Sequence, residues 1–257
     1  FPIIVKPVDS CGSQGVKYVY KLEELNLAIA NAFNFSEEVM LEEFVQGEGI
    51  DTIGIMKDGK LYPYGLGARV FSELPYRFPI YGYTIAELTR IQQEEAYRIT
   101  EAAAIALGII NGPVKGDLIF YKGSFTVIEI TPRFHGDVFT SRMIVYSTGI
   151  YPVKDLFNFF INGVLPETTI LDAEHKIILW KGLFSLEDNF NWSLLMDDSG
   201  PGIKVLDYFI DSRYIFSKLE HKDNTSLVGF IWLEFDSKDS MNYYLEKFKS
   251  KYNKQLL

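Results

Sequence analysis

The chain has 257 residues, which is enough for one large or two small domains, each with a buried core. Hydrophobic residues make up 47% of it, charged residues 23% and aromatic residues 15%, a composition typical of globular and not of disordered proteins. The 34 acidic and 25 basic side chains give a net charge of -9, which disfavours nucleic acid as the main partner.

Cysteine usage and hydropathy indicate the cellular setting. The single cysteine, Cys11, cannot form an intramolecular disulfide or a cysteine-rich zinc site, so we expect a reducing, cytoplasmic location. The longest apolar stretch, residues 102–110, is about half of the roughly 18 residues that a membrane-spanning helix needs. No signal-peptide pattern opens the chain, so the sequence predicts a soluble protein with no membrane partner. The first residue is Phe1 and not methionine, and we expect further sequence upstream.

The N-terminal segment predicts a small unit of strands and one helix. β-branched and apolar runs indicate strands, and apolar residues at helical spacing indicate a helix. In chain order we predict a strand over residues 1–8, a glycine-containing loop over 9–15, a strand over 16–20, a helix over 22–32 and a strand over 39–45. Lys6 is the charged residue inside the first strand.

Two hairpins are predicted in the central segment. Turn residues between apolar runs place the first between residues 50–55 and 61–70, and the second between residues 114–121 and 125–130. Lys57 to Lys60 form the first turn, and Lys122 and Gly123 form the second.

The remaining central residues predict a loop and two helices. Residues 72–83 are rich in proline, glycine and aromatic side chains without a period, which indicates a long functional or mobile loop. A helix is predicted over residues 85–107 with Gly108 as its C-cap, and a short apolar helix over 155–161.

After Pro166 the pattern changes to short strands. They are predicted over residues 177–180, 203–210 and 227–235, and a charged helix follows over 239–251. We therefore predict a subdomain boundary near residue 166. The whole chain is predicted to be α+β.

Asp117 and Glu129 are the strongest indication of a functional site. Each lies six residues from Gly123, so a hairpin centred there would bring them opposite each other on one face. Like charges in that position destabilise a sheet, and a cation between them is the natural compensation. Magnesium takes one or two protein carboxylates and completes its shell with water and phosphate oxygens, so the pair suits a metal that arrives with a nucleotide. The alternative is an exposed pair on a solvated face, which apolar neighbours such as Leu118 and Val127 make less favoured.

Arg133 lies four residues beyond Glu129, past Pro132, and would sit close to the carboxylate pair. Its guanidinium could clamp a phosphate or carboxylate, or it could simply form a salt bridge to Glu129. His135 is close enough to Arg133 to line a substrate pocket, the alternative being a structural role. None of the three histidines, His135, His175 and His221, has metal-ligand spacing, and the last two are expected to be surface or core residues.

Lys6 and the loop that follows it have the parts of a phosphate cradle. Backbone amides around Gly12, Ser13 and Gly15 would accompany the ammonium group. The spacing is neither that of a Walker P-loop nor that of a dinucleotide fingerprint. A strand-edge lysine beside an ordinary turn is the alternative. Residues 40–45, with acidic and apolar side chains, are suited to hold an aromatic base.

In this order, the motifs resemble the ATP-grasp superfamily, in its branch of carboxylate-amine ligases, biotin carboxylases and carbamoyl-phosphate synthase large subunits. The Lys6 strand and its loop resemble the phosphate-binding strand and loop of that family. Residues 39–45 with Glu48 resemble its adenine-holding linker and ribose-contacting glutamate. Residues 111–117 and 128–133 resemble its paired metal strands and catalytic arginine, and the resemblance covers residues 1–163.

The resemblance implies an ATP-grasp fold, with antiparallel sheets, flanking helices and a nucleotide held between two α+β subdomains. Residues 1–43 would be part of the lid subdomain, residues 44–165 the core subdomain with the metal site, and residues 166–257 a small C-terminal lobe. The N-terminal domain of the family and the first part of its lid are expected to be missing from this chain.

The resemblance also implies a role for each matched residue. Asp117 and Glu129 would bind Mg²⁺, with Mn²⁺ as the alternative metal. Arg133 would stabilise charge on the transferring group, and Arg69 would be a second phosphate or substrate contact, with Lys6 as the third catalytic residue. ATP would be bound by Lys6, Gly12, Ser13, Gly15, Glu42, Glu43, Phe44, Val45 and Glu48.

Two positions depart from the family's pattern. Thr131 stands where many members have asparagine, which weakens one contact in the metal shell. Lys115 occupies a position that is often histidine, and it adds a cation beside the phosphate site.

The leading hypothesis is a Mg-ATP-dependent ligase that activates a carboxylate as an acyl phosphate for attack by an amine. Its partners would be small-molecule acids and amines, and a homodimer stays open. The alternative is a nucleotide-binding protein of the same fold without ligase activity, which the departure at Thr131 suggests. A structural or interaction domain is the third hypothesis, based on the aromatic C-terminal region.

Overall fold

The computed structural model describes residues 1–71, 79–84, 88–136, 139–166, 170, 175–184, 200–210 and 227–256. His221 and the C-terminal part of the charged tail lie outside the residues whose side chains are described.

A three-stranded antiparallel sheet and one helix form the N-terminal unit. The strands lie in the order β2, β1, β3, and their bounds are Ile3–Pro7 for β1, Lys17–Val19 for β2 and Val39–Glu43 for β3. Helix α1, Leu22–Ala32, packs Ala28 and Ala32 against Val5 and Val19. These four side chains are a core of their own, and the predicted strands and helix are confirmed.

The second sheet has eight antiparallel strands in the order β10, β11, β9, β6, β5, β4, β7, β8. Their bounds are β4 Glu48–Lys57, β5 Lys60–Phe71, β6 Pro79–Thr84, β7 Gly112–Tyr121, β8 Ser124–Thr131, β9 Ile177–Phe184, β10 Ile203–Ile210 and β11 Leu227–Phe235. Both predicted hairpins are confirmed, β4 with β5 and β7 with β8. Strand β8 is the edge of the sheet, which leaves Val127 and Ile128 each 39% exposed although their residue types favour burial.

Helices cover both faces of this sheet. Helix α2, Arg90–Ala106, packs on the face that carries Ile50 and Leu118. A π-helical turn, Phe139–Met143, leads into α3, Ile144–Thr148, and the Phe139 ring lies over the opposite face. Two further helices complete the described chain, α4 at Pro152–Asn162 and α5 at Lys238–Leu256.

Two expectations for the central segment are wrong. Residues 79–84 are not part of a loop but form β6, which pairs with both β5 and β9, while residues 72–78 lie outside the described residues. Pairing on both sides stabilises a segment whose glycine and proline content alone argues against a strand. Helix α2 begins at Arg90 and not near residue 85, because Thr89 caps it and forms a capping box with Gln92.

Residues on both sides of residue 166 contribute to the large sheet, because β9 pairs with β6. The predicted subdomain boundary at that position stays a prediction. Helix α5 packs Met241, Tyr244 and Leu245 against β9 and β11, so the C-terminal elements share a core with β6.

A buried hydroxyl pair ties α2 to the sheet. Thr52 Oγ1 on β4 lies 2.7 Å from Thr100 Oγ1, and Thr100 also donates to the Ala96 carbonyl oxygen at 2.9 Å. Both threonines are fully buried. A β-carbon at Gly116 would lie 2.6 Å from Thr52 Oγ1 and 2.9 Å from Thr100 Oγ1, so glycine is needed there for this contact.

Replacing Thr100 by valine should lower the free energy of unfolding by about 1–3 kcal/mol, because the buried Thr52 hydroxyl loses its short partner. The double variant Thr52→Val/Thr100→Val should cost less than Thr100→Val alone, since it leaves no hydroxyl unpaired. Urea unfolding measures the free energy of unfolding of both variants. Thr126→Val, at an exposed position on β8, is the control and should stay within about 0.5 kcal/mol. A double variant that costs as much as the two single variants together would contradict this account.

Candidate functional site

Three carboxylates lie side by side across the large sheet. The register places Asp51 of β4 opposite Asp117 of β7, and Asp117 opposite Glu129 of β8. Lys115 lies two residues before Asp117 and therefore on the same face of β7. Arg69 on β5 joins them from the other side of β4. The predicted pair of Asp117 and Glu129 is thus brought together, within a larger charged cluster.

The pairing of Asp117 with Glu129 is as predicted, but it depends on a bulge. The turn consists of Lys122 and Gly123, which have φ values of 49° and 84°, so Tyr121 pairs with Ser124. Continued without interruption, that register would place Ile128 opposite Asp117. The register shifts by one residue between Asp117 and Leu118, and this shift brings Glu129 to the position opposite Asp117.

The cation between the two carboxylates is Lys115. Its Nζ lies 2.8 Å from Asp117 Oδ2 and 3.2 Å from Glu129 Oε1, and its side chain is 7% exposed. Burial in a site of this charge favours a lysine that is paired with both acids. Arg133 does not take this place: it is exposed, and its Nη1 donates to the Phe134 carbonyl oxygen at 3.0 Å.

Asp51 holds Arg69 through two hydrogen bonds. Arg69 Nε lies 2.9 Å from Asp51 Oδ2, and Arg69 Nη2 lies 2.7 Å from Asp51 Oδ1. Such bidentate pairing fixes the plane of the guanidinium. Arg69 Nη1 then lies 3.7 Å from Asp117 Oδ2. The predicted role of Arg69 as a substrate contact stays a prediction, and its position is set by Asp51.

His135 completes the cluster as a neutral ring. Arg69 Nη2 lies 3.2 Å from His135 Nδ1, and since arginine only donates, Nδ1 accepts and the ring proton is on Nε2. Nε2 lies 3.9 Å from one oxygen of Asp51 and 3.9 Å from one oxygen of Asp117. Burial, and then the charges of Arg69, Lys115 and Arg133, hold the pKa of His135 well below its usual value.

The oxygen ligands of this cluster fit a magnesium ion. Asp117 and Glu129 offer carboxylate oxygens, which magnesium prefers. Within the described part of the chain, Asp117 Oδ1 and Thr131 Oγ1 are buried without a hydrogen-bond partner. Asp51, Asp117 and His135 also have ligand atoms within 4.8 Å of one another, but the proton on His135 Nε2 makes that trio a poor metal site.

Asp51 was missed by the interpretation of the sequence, and His135 was expected beside Arg133 but not as a partner of Arg69. Asp51 stands among apolar residues of a buried strand, which is the same signal that singled out Lys6. Its pairing with Arg69 could not be read from the sequence, because the two residues are 18 positions apart and meet only through the register of β4 and β5.

The predicted nucleotide residues of the N-terminal unit lie on and around the small sheet. Lys6 Nζ on β1 lies 2.8 Å from Glu42 Oε2 on β3, so the anomalous lysine has a partner on the neighbouring strand. Glu42, Glu43 and Phe44 line an open cavity of about 450 Å³ together with Phe1, Pro2, Ile3 and Leu41. Val45 is half-buried just beyond this cavity.

The loop after β1 turns through left-handed backbone conformations. Gly12, Ser13 and Gly15 have φ values of 64°, 61° and 75°. Cys11 is exposed in the same loop. Within this turn Gln14 N donates to the Cys11 carbonyl oxygen and Val16 N to that of Ser13, both at 3.3 Å, and the predicted role of the loop as a phosphate cradle stays a prediction.

Glu48 lies at the start of β4 and accepts a hydrogen bond from Tyr83 Oη at 2.8 Å. Tyr83 is opposite Ala68, whereas Arg69 is opposite Gly82, so Tyr83 and Arg69 project from opposite faces of the sheet. The structure therefore does not bring Glu48 into the charged cluster, and its predicted contact with ribose stays a prediction.

The architecture is that of solved ATP-grasp ligases. An L-amino acid ligase from Bacillus licheniformis superposes with a TM-score of 0.77 at 19% identity, over 96% of this chain and 61% of that chain. Biotin carboxylase from Campylobacter jejuni gives a TM-score of 0.66 at 13% identity, over 95% of this chain and 56% of that chain. At these identities the likeness shows the fold, and the fold predicted from the motifs is confirmed.

Comparison of sequences identifies the family to which the chain belongs. It belongs to the family described as D-ala D-ala ligase C-terminus, whose profile matches residues 1–130. A D-alanine–D-alanine ligase from Helicobacter pylori is 47% identical over 47 residues, which is 18% of this chain. The carbamoyl phosphate synthase large chain of Clostridium perfringens is 25% identical over 162 residues, 61% of this chain. In each case the matched part is 14% of the relative's own length.

No helix in the described part of the chain has the length and hydropathy needed to cross a lipid bilayer.

The ring of His135 should stay neutral when the pH is lowered from about 7.5 to about 5.5, because burial and three neighbouring cations oppose its protonation. The folded ring binds a proton less readily than the unfolded one, so its contribution to stability is present above about pH 6.5 and is lost as the pH falls. NMR of protein with ¹⁵N-labelled histidine, recorded with a chelator, reports both the charge and the tautomer. A charged ring at pH 6, or a proton on Nδ1, would contradict the assignment.

Proposed function

We propose that this chain carries the ATP and magnesium site of a ligase that joins a carboxylate to an amine. The observation that carries the proposal is the pair of Asp117 and Glu129, opposite each other in register and bridged by Lys115. Carboxylates forced together on a sheet, with cations around them, suit the binding of a metal and phosphate groups. The family membership of residues 1–130 supports the same conclusion.

The reaction has two steps in this proposal. A carboxylate oxygen of the acid attacks the terminal phosphorus of ATP, the bond from that phosphorus to the bridging oxygen breaks, and ADP leaves. The amine nitrogen then attacks the acyl carbon, the carbon–oxygen bond to phosphate breaks, and the amine loses a proton. Catalysis of this kind consists mainly of positioning and charge stabilisation.

The residues of the chain have distinct tasks in these steps. Lys6 and the amides of the loop at residues 12–15 contact the phosphates, while the cavity beside Phe44 holds the adenine. Asp117 and Glu129 hold the magnesium ion, which when bound offsets charge on the phosphate oxygens. Arg133 is exposed near His135 and stabilises charge on the transferring group.

The domain organisation follows the same proposal. Residues 1–43, with their separate small core, belong to a lid over the nucleotide. Residues 44–165 provide the metal site, and residues 166–257 form the C-terminal lobe. The chain spans 61% of the L-amino acid ligase and 56% of the biotin carboxylase that it resembles, so the acid and the amine are assigned here only by class.

Thermal unfolding with a non-hydrolysable ATP analogue tests the site. With the analogue at 100 times its dissociation constant, stability should rise by about 2.7 kcal/mol, and part of this gain should require magnesium. Glu129→Gln should lose the magnesium-dependent part. Glu37→Gln, at an exposed position in the N-terminal unit, should behave as the wild type. An equal magnesium response in Glu129→Gln and wild type would exclude Glu129 as a metal ligand.

Release of ADP distinguishes the ligase from the alternative of a nucleotide-binding protein. The alternative is favoured by Thr131, which offers a single buried hydroxyl beside the acidic pair. The full-length protein should release ADP with one pair of acid and amine from a screen, and Glu129→Gln should abolish this release. Nucleotide binding without ADP release for any pair would support the alternative, and an absence of binding would favour a structural role.

A further inference from the structure

Lys115 occupies the place in which the proposed function puts a metal ion. Its ammonium lies 2.8 Å from Asp117 Oδ2 and 3.2 Å from Glu129 Oε1, and these carboxylates face each other across β7 and β8. The Lys115 side chain is 7% exposed and that of Asp117 20%, whereas that of Glu129 is 47% exposed, so a buried ammonium is paired with one acid that is largely shielded and one that faces solvent. The ammonium therefore balances two acids that would otherwise repel each other.

A divalent ion and the ammonium compete for this pair through their charges. Asp117 Oδ1 has no hydrogen-bond partner among the described residues and could still bind the ion. An ion on both carboxylates, however, would lie within a few ångströms of Lys115 Nζ, where two cations repel each other. The ammonium therefore weakens metal binding to this pair until it withdraws. A lysine side chain can do so, because its charge is carried on a flexible four-carbon stem.

Arg69 is not the movable cation of this site. Its guanidinium also approaches Asp117 Oδ2, at 3.7 Å, but two hydrogen bonds to Asp51 hold it in place. The neutral ring of His135 contacts the same guanidinium and adds no positive charge. Arg69 and Lys115 both approach Asp117, and of these two cations Lys115 is the one that also contacts Glu129.

We propose that Lys115 is a resident counter-cation that keeps free metal from Asp117 and Glu129 until the phosphates of a nucleotide draw its ammonium away. The proposal rests on the proposed function, because it takes the acidic pair as the metal site. Lys115 then has two partners in turn: the carboxylates before the nucleotide binds, and phosphate oxygens afterwards. Metal entry becomes dependent on the nucleotide without any movement of the backbone.

Binding of Mn²⁺ in the absence of nucleotide is the direct test. Electron paramagnetic resonance counts the free ion, and Lys115→Met should bind Mn²⁺ about tenfold more tightly than the wild type, because the competing charge is gone. Lys115→Arg keeps the charge and should not show this gain. Lys122→Met removes a lysine from the tip of the same hairpin, over the Tyr121 ring, and is the matched control.

The gain must arise at the acidic pair. Adding Glu129→Gln to Lys115→Met should therefore abolish it. Equal Mn²⁺ affinity of Lys115→Met and wild type, or a gain that survives Glu129→Gln, would overturn the proposal. If Lys115→Met does not fold, Lys115→Gln is used in its place. The glutamine amide carries no charge but can still donate to the carboxylates.

Binding of ADP without metal is a second test, in which the Lys115→Met variant should bind more weakly than the wild type and not more tightly. With a chelator present, Lys115→Met should bind ADP several-fold more weakly than wild type, because the phosphates lose the ammonium, and calorimetry measures this. Unchanged ADP affinity would remove the phosphate step of the proposal. Should ADP bind to no variant, the proposed function fails, while the Mn²⁺ measurement still decides whether Lys115 excludes metal from the pair.

Discussion

The register of one sheet holds three carboxylates side by side, and the repulsion among them has to be offset by nearby cations. Asp51, Asp117 and Glu129 are adjacent on β4, β7 and β8, and Lys115 and Arg69 neutralise two of the three charges. With His135 neutral, the cluster keeps a net charge of -1. In our proposal Arg69 is the cation that Asp51 holds in place, and Lys115 is the one that a stronger anion can attract.

Each of the two sheets presents a different part of the proposed site. The small sheet presents Lys6, the glycine loop and the cavity beside Phe44, all within a unit that has its own core. The large sheet presents the acids, because its long paired strands fix the distance between side chains on neighbouring strands. In the proposed function, a nucleotide bound between them would have its base and phosphates against the small sheet and its metal ion on the acids of the large sheet.

Local patterns were sufficient for much of the fold. Both central hairpins, α1 and the three C-terminal strands follow from turn residues and hydrophobic periodicity, and the order of motifs around Lys6 and Asp117 indicated the family. Strand β6 was missed because neighbours on both sides stabilise it, and no local pattern records them. The partnership of Asp117 with Glu129 was predicted correctly, yet it arises from a bulge that no feature of the turn reveals.

The sequence by itself indicated which charged residues would need partners, since a charged side chain within an apolar strand is costly to bury unless it is paired. Only the tertiary structure decided how they are paired. It joined Asp51 to Arg69, set the proton of His135 on Nε2, and placed Lys115 and not Arg133 between the acids. The physical reason is that ion pairs form over a few ångströms, while the partners are brought to that distance by strand register and by bulges, which depend on the whole sheet.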